Sequence, residues 1–304
     1  MSLEATAAAR LHRARIALEG LSVGDALGDQ FFIYADVALN MIKNRALPKP
    51  VWLWSDDTNM ALSIYEILRI HETLNADALA QSFALHYQME RGYGAAMHEL
   101  LYLMKDNPEW RALAAGLFNG QGSYGNGAAM RVAPAGAYFA DDLDLVVEAA
   151  RITSEITHTH PEASAGAIAV AVATAYACRL GSSQEKPSRT EFINLILPHV
   201  PDSEVKNKIE TALTFRRNVD IDHVAGMLGN GSLVSAQDTV PFVIWSAAGN
   251  LFNYEQAIWK TLEVLGDRDT TCAMVGGIVA SYTGIEGIPA EWIHMREALP
   301  EWAV

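Results

Sequence analysis

A chain of 304 residues that is 50% hydrophobic and 19% charged has the balance of a globular protein able to bury a large core. Its 36 acidic against 22 basic residues leave a formal net charge of −14, an average field that repels a nucleic-acid backbone and argues against direct nucleic-acid binding. Cys178 and Cys272 are the only cysteines, too few for a disulfide framework, and the N-terminal stretch lacks the apolar segment of a signal peptide; both features point to the cytoplasm.

Helical spacing dominates from the start. Leu11, Ala14, Leu18 and Leu21 fall on one stripe of a first helix. Gly24-Asp25-Ala26-Leu27-Gly28 then reads as the end of that helix and the start of a turn. Trp54-Ser55-Asp56-Asp57-Thr58 stands just before a second helical stripe of Met60, Ile64, Ile67, Leu68 and His71. Adjacent carboxylates repel, so a fold that gathers them needs a cation, and oxygen donors alone suit Mg²⁺, Mn²⁺ or Ca²⁺ rather than Zn²⁺. Taken alone, the same residues are also good helix caps, with acidic groups favoured in a first turn.

A further stripe at Ala78, Phe83, Ala84 and Tyr87 leads to Gly120-Gln-Gly-Ser-Tyr-Gly-Asn-Gly127, four glycines in eight residues. Such a backbone can approach a phosphate closely, although glycine content alone equally describes a flexible loop. Leu143, Val147 and Ala150 mark another helix. His158-Thr159-His160-Pro161 lacks a third soft ligand for zinc, and His160 can instead cap the helix that Pro161 opens.

Alanines at every second position from Ala163 to Ala177 imitate a strand, but sixteen uncharged residues are very long for one and alanine is the best helix former. The expectation is a buried central helix, half alanine and too short to be read as a membrane span. Gly181 to Ser188 reads as a surface loop, and no linker divides the chain, so one domain over residues 1–304 is expected. A second group, Gly266-Asp267-Arg268-Asp269-Thr270, precedes a last apolar helix from Thr271 to Ser281, in which Cys272 is a small buried hydrophobe. Nothing in the spacing brings the two carboxylate groups together, since more than two hundred residues separate them.

The ordered set of Gly-Asp-Ala-Leu-Gly, Trp-Ser-Asp-Asp-Thr, Gly-Ser-Tyr-Gly-Asn-Gly, Thr157-His158 and Gly-Asp-x-Asp-Thr resembles the ADP-ribosylglycohydrolase family, with matches from Gly20 to about Trp292. The resemblance implies an all-α fold and a centre of two divalent cations, Mg²⁺ or Mn²⁺. It implies Ser55, Asp56, Asp57, Asp267, Asp269 and Thr270 as their ligands. It places Gly122, Ser123, Tyr124, Gly125, Asn126 and Gly127 on the diphosphate of ADP-ribose, with His158 at the same cleft and Tyr124 able to stack on adenine. Arg131 would either pair with a phosphate or form a structural salt bridge.

The implied reaction is hydrolysis at the anomeric carbon of an ADP-ribosylated protein or small molecule, with Asp57 or Asp269 orienting or deprotonating the attacking water. Two positions depart from the family pattern. Phe32 stands where many members carry a glutamate, leaving Asp29 as the nearest substitute, and Arg268 stands where a small residue is usual. A non-catalytic ADP-ribose-binding or toxin-neutralising protein, and another metal-dependent hydrolase, are the alternatives. The oligomeric state stays open, a monomer being the simpler expectation.

Overall fold

The computed structural model describes residues 6–105, 107–216 and 218–303. The first part of the chain forms α1 (Ala7–Asp29), α2 (Ala35–Lys43), α3 (Asp56–His71), α4 (Ala76–Leu85), α5 (Ala95–Met104) and α6 (Trp110–Gly120). The middle forms α7 (Gly127–Met130), α8 (Ala133–Tyr138), α9 (Leu143–Glu155), α10 (Pro161–Ser183), α11 (Arg189–Ile196) and α12 (Glu204–Ala212). The last part forms α13 (Ile221–Leu228), α14 (Ala236–Gly249), α15 (Tyr254–Leu262), α16 (Arg268–Thr283) and α17 (Ala290–Met295). Among the described residues there is no strand, only two isolated bridges, Trp52 with Arg296 and Gly125 with Ser235. The all-α expectation therefore holds.

The alanine run is the helix α10, and its alanines from Ala163 to Ala177 are fully buried. Small side chains on every face let it touch α8, α9, α14 and α16 at once. This explains a composition that mimics period two: no face of the helix is free to be polar. By length and composition α10 would suffice to cross a membrane, yet most of its apolar stretch is covered by the rest of the protein. His160 caps it by accepting from the Glu162 amide at 3.2 Å, and Pro161 occupies the first turn. The helix runs on to Ser183, so the surface loop is shorter than the sequence suggests and begins at Gln184.

The reading of Gly24 to Gly28 as a turn is overturned. The helix α1 continues through this segment to Asp29 and its residues are buried. Gly20, Gly24 and Gly28 lie four apart and so share one face. A Cβ on Gly24 would overlap the Cys272 carbonyl oxygen, and one on Gly28 would overlap that of Arg268. On Gly20 it would overlap Gly276 and Ala280. As α1 ascends, its contacts on α16 descend, so the two helices run antiparallel with backbones in direct contact. The glycines here end no helix; they admit another one.

The crossing yields a stability prediction. Gly24→Ala forces the α1 and α16 backbones apart and is expected to cost about 1–3 kcal/mol or more, the range for overpacking a tight core. Gly226→Ala, an exposed site in α13 with nothing within 4 Å of the added methyl, is expected to stabilise by about 0.5–1 kcal/mol. Chemical denaturation of both variants measures the contrast, and equal effects would rule out the packing account.

Candidate active site

The close crossing carries Asp25, fully buried in α1, to the N-termini of two other helices. One of its oxygens accepts from the Ser55 amide at 3.0 Å, from the Thr58 amide at 3.1 Å and from the Thr58 hydroxyl. Asp25 thus caps the start of α3 from outside the helix. Ser55 is the N-cap proper: its hydroxyl accepts from the Asp57 amide at 3.2 Å and donates to Asp57 Oδ2 at 3.0 Å. The Thr270 hydroxyl, from the first turn of α16, also donates to Asp57 Oδ2 at 3.3 Å. The other oxygen, Asp57 Oδ1, is buried without any partner.

Asp57 belongs to a triad. One carboxylate oxygen each from Asp25, Asp57 and Asp269 lie within 4.8 Å of one another. Oxygens on opposite sides of an ion bound at about 2.1–2.5 Å sit about 4–5 Å apart, so the triad could hold a divalent cation. Three hard oxygens also suit Mg²⁺, Mn²⁺ or Ca²⁺ rather than a soft metal. Without one the group is electrostatically unfavourable. Burial, against which the Ser55 and Thr58 hydrogen bonds act, pushes Asp25 up to about 6. Burial and then the charge of Asp25 push Asp56 up to about 8. Burial and neighbouring carboxylates hold Asp57 and Asp269 well above the ordinary aspartate range.

Beside the triad opens a cleft of about 880 Å³, which Asp269 lines. Asp56, Asp267 and Thr270 line it too, together with Ser123 to Gly127 and His158. Asp267 occupies the N-cap position of α16 but makes no capping bond. Its Oδ2 accepts from Asn126 Nδ2 at 2.7 Å instead, tying the late carboxylates to the glycine loop. The capping alternative therefore describes Ser55 and fails for Asp267.

The glycine loop is not free. The Tyr124 carbonyl accepts from the Ala236 amide at 3.0 Å, and the Asn126 amide donates to the Val234 carbonyl at 3.3 Å. On its other side, a Cβ on Gly125 or Gly127 would lie 3.1 or 2.8 Å from His158 Nε2. Phe118, Tyr124, Leu233 and Val234 form an exposed apolar rim on the same cleft. Val234 adopts φ +52°, an unusual left-handed conformation for a β-branched residue, held by its amide donating to the Gly231 carbonyl at 2.7 Å.

Several expectations change. Gly122 does not line the cleft; its α-carbon faces Thr159 behind the loop. Ser55 and Asp57 do not line it either: both are buried, and the Ser55 hydroxyl is spent on Asp57. Arg131 neither faces the cleft nor forms a salt bridge among the described residues. It is fully buried, donating to the Thr153 carbonyl at 2.8 Å and to Thr157 Oγ1 at 2.7 Å over the Phe83 ring. Arg268 likewise has no salt bridge among the described residues; its guanidinium stacks 4.9 Å from the Phe32 ring at the cleft mouth. Asp29 also lines the cleft, half-buried and raised by that burial. Cys272 is buried against α1, and burial raises its thiol well above the usual value, so it is no nucleophile.

Sequence reasoning missed Asp25 as a site residue, and missed Phe118, Leu233 and Val234. The Gly20-Gly24-Gly28 spacing beside Asp25 was the available signal, as was Gly229-Asn-Gly-Ser232 for the second loop. Phe118 carried none, since it ends up in the cleft through the left-handed conformations of Phe118 and Asn119 at the end of α6.

Comparison with known proteins agrees with this architecture. Residues 6–303 match the ADP-ribosylglycohydrolase family model, and the chain belongs to that family. It is 28% identical to ADP-ribosylhydrolase ARH3 of Homo sapiens over 97% of this chain and 92% of that protein. It is 26% identical to ADP-ribosyl-[dinitrogen reductase] glycohydrolase of Rhodospirillum rubrum over 92% and 89% of the two chains. A solved ADP-ribosylglycohydrolase-related protein complex shares the fold at a TM-score of 0.66 and 23% identity, covering 95% of this chain and 94% of its own.

The raised carboxylates set a pH dependence. Between 3.8, the ordinary aspartate value, and about 8, Asp25 and Asp56 hold more protons in the folded protein than in the unfolded chain. Their contribution to the stability of the cation-free protein should therefore fall as pH rises through that window. A divalent cation competes with those protons, so the gain in Tm on adding Mg²⁺ or Mn²⁺ should grow from pH 5 to pH 8. Scanning calorimetry with and without EDTA measures both; a cation effect larger at pH 5 would contradict the electrostatic account.

Proposed function

We propose that the protein hydrolyses the glycosidic bond between ADP-ribose and an acceptor, a modified protein side chain or a small molecule, and releases ADP-ribose. The observation that carries this reading is a buried carboxylate triad whose Asp269 lines a cleft shared with a glycine loop and a neutral histidine. Asp25, Asp57 and Asp269 would hold one divalent cation, and Asp56 and Asp267, on the adjoining cleft wall, supply oxygen donors for a second. Mg²⁺ or Mn²⁺ held there would supply Lewis-acid polarisation of the reacting oxygens.

The remaining work falls to the chain itself. The diphosphate lies along Ser123 to Gly127 and against His158, whose ring fills the space that side chains on Gly125 and Gly127 would take. Adenine rests on the exposed faces of Phe118 and Tyr124. That placement directs the ribose toward the carboxylates and turns attack on the anomeric carbon into a positioned step. Asp269, the triad carboxylate that lines the cleft, is the natural proton acceptor for the attacking water, and Asp57 stands beside it.

A second reading, an ADP-ribose-binding protein without hydrolase activity, draws support from Phe32, which presents a half-exposed apolar ring on the cleft where the family resemblance leads one to expect a carboxylate. One assay separates the two. Peptides ADP-ribosylated on arginine or serine are incubated with the protein and Mg²⁺, Mn²⁺ or EDTA, and free ADP-ribose is measured. Release that needs the cation and falls about 100-fold or more in Asp57→Ala is expected, since even supporting groups around a metal cost 10–100-fold. ADP-ribose that binds tightly while no donor is cleaved would replace the first reading with the second.

A further inference from the structure

Arg131 is an arginine with no open role: fully buried, without a carboxylate partner among the described residues, and outside the cleft. Its hydrogen bonds give it one. A guanidinium has donors and no acceptor, so at 2.7 Å from Arg131 Nη2 the Thr157 hydroxyl oxygen must be accepting. That leaves the single Thr157 hydroxyl proton for the other partner of the same oxygen, His158 Nδ1, at 2.6 Å. The reverse arrangement, in which Nδ1–H donates to Thr157, would leave the Thr157 proton buried with no acceptor, a condition folded proteins avoid.

Nδ1 is therefore the acceptor of this pair. His158 is neutral, with burial and then the Arg131 charge pulling it down to about 3. A neutral imidazole carries one proton, and with Nδ1 bare that proton is on Nε2. His158 Nε2 is the nitrogen turned toward Gly125 and Gly127, and it bonds to no protein atom among the described residues. The cleft thus meets a donor, not a lone pair, at the point where the glycine loop passes the ring.

We propose that Arg131 and Thr157 are positioning residues for the diphosphate: the chain Arg131 Nη2, Thr157 Oγ1, His158 Nδ1 holds His158 as the Nε2–H tautomer, which donates to a phosphate oxygen on the glycine loop. The opposite tautomer would point a lone pair at an anion and repel it. The relay needs no titration at working pH, since every member keeps one protonation state. It rests on the reading of this loop as the diphosphate subsite, and its own geometry is checked without any ligand.

The test reads the ring nitrogens of His158 by long-range ¹H–¹⁵N correlation in the ligand-free protein, then follows ADP-ribose titration. The relay requires Nδ1 in the range of a bare ring nitrogen and Nε2 in that of a protonated one, in the wild type and in Thr157→Ser. Thr157→Val removes the hydroxyl at nearly constant volume, and should both disturb that tautomer and weaken ADP-ribose binding about tenfold to a hundredfold, the loss of a hydrogen bond to a charged group. A protonated Nδ1 in the wild type overturns the relay, and that measurement stands even if Thr157→Val does not fold. The expected tautomer together with unchanged binding in a folded Thr157→Val overturns the positioning role. Wild-type His158 signals that ignore saturating ADP-ribose overturn the diphosphate subsite itself, and with it the purpose assigned to the relay.

Discussion

The contact between α1 and α16 is the constraint from which the rest of the molecule follows. Gly20, Gly24 and Gly28 present bare backbone to Gly276, Cys272 and Arg268, so the helix axes lie closer than any side chain on that face would permit. Asp25 sits between two of these glycines and Asp269 in the first turn of α16 opposite, and the crossing delivers one carboxylate to the other. Asp25 also takes the amides of Ser55 and Thr58, so the same residue anchors α3 and with it Asp57. Three helices remote in sequence are pinned at one point by a group that, without a cation, is held together against its own charge.

Such an arrangement trades stability for chemistry. Buried carboxylates without paired counter-charges are unfavourable, and no arginine among the described residues forms an ion pair with them: Arg131 is turned toward the Thr153 carbonyl and Thr157, and Arg268 toward Phe32. A divalent cation at the triad could supply the positive charge. The rest of the core is correspondingly apolar and closely packed, with α10 as a central post of small residues that neighbouring helices approach from several sides. A rigid scaffold of this kind can hold one repulsive cluster in place where a looser one would let it spread.

The cleft has the opposite character on its other wall. There the backbone of the loop that leads into α7 makes the surface, and two loops brace each other through the Tyr124 carbonyl, the Asn126 amide and the left-handed Val234. Asn126 reaches across to Asp267, joining the two walls by a single side-chain bond. Phe32 and Arg268, the two positions that depart from the family pattern, meet each other at the mouth. They form one feature, a cation resting on an aromatic face.

Much of this was legible in the residues alone. Apolar spacing and alanine's helix preference were enough for an all-α chain and a buried α10, because local propensity and burial there agree. Asp56, Asp267, Asp269, Thr270 and the loop from Ser123 to Gly127 all line one cleft, with Asp57 buried beside it, and their residue types announced oxygen donors and close backbone approach. The tertiary structure alone decided that Asp25 completes the triad, that Gly24 and Gly28 belong to a continuing helix, and that Arg131 serves Thr157 rather than a phosphate. The physical reason is common to all three: a glycine, an aspartate or an arginine has the same local chemistry in a turn, a cap or a core, and only the partner brought to it across the fold selects among them.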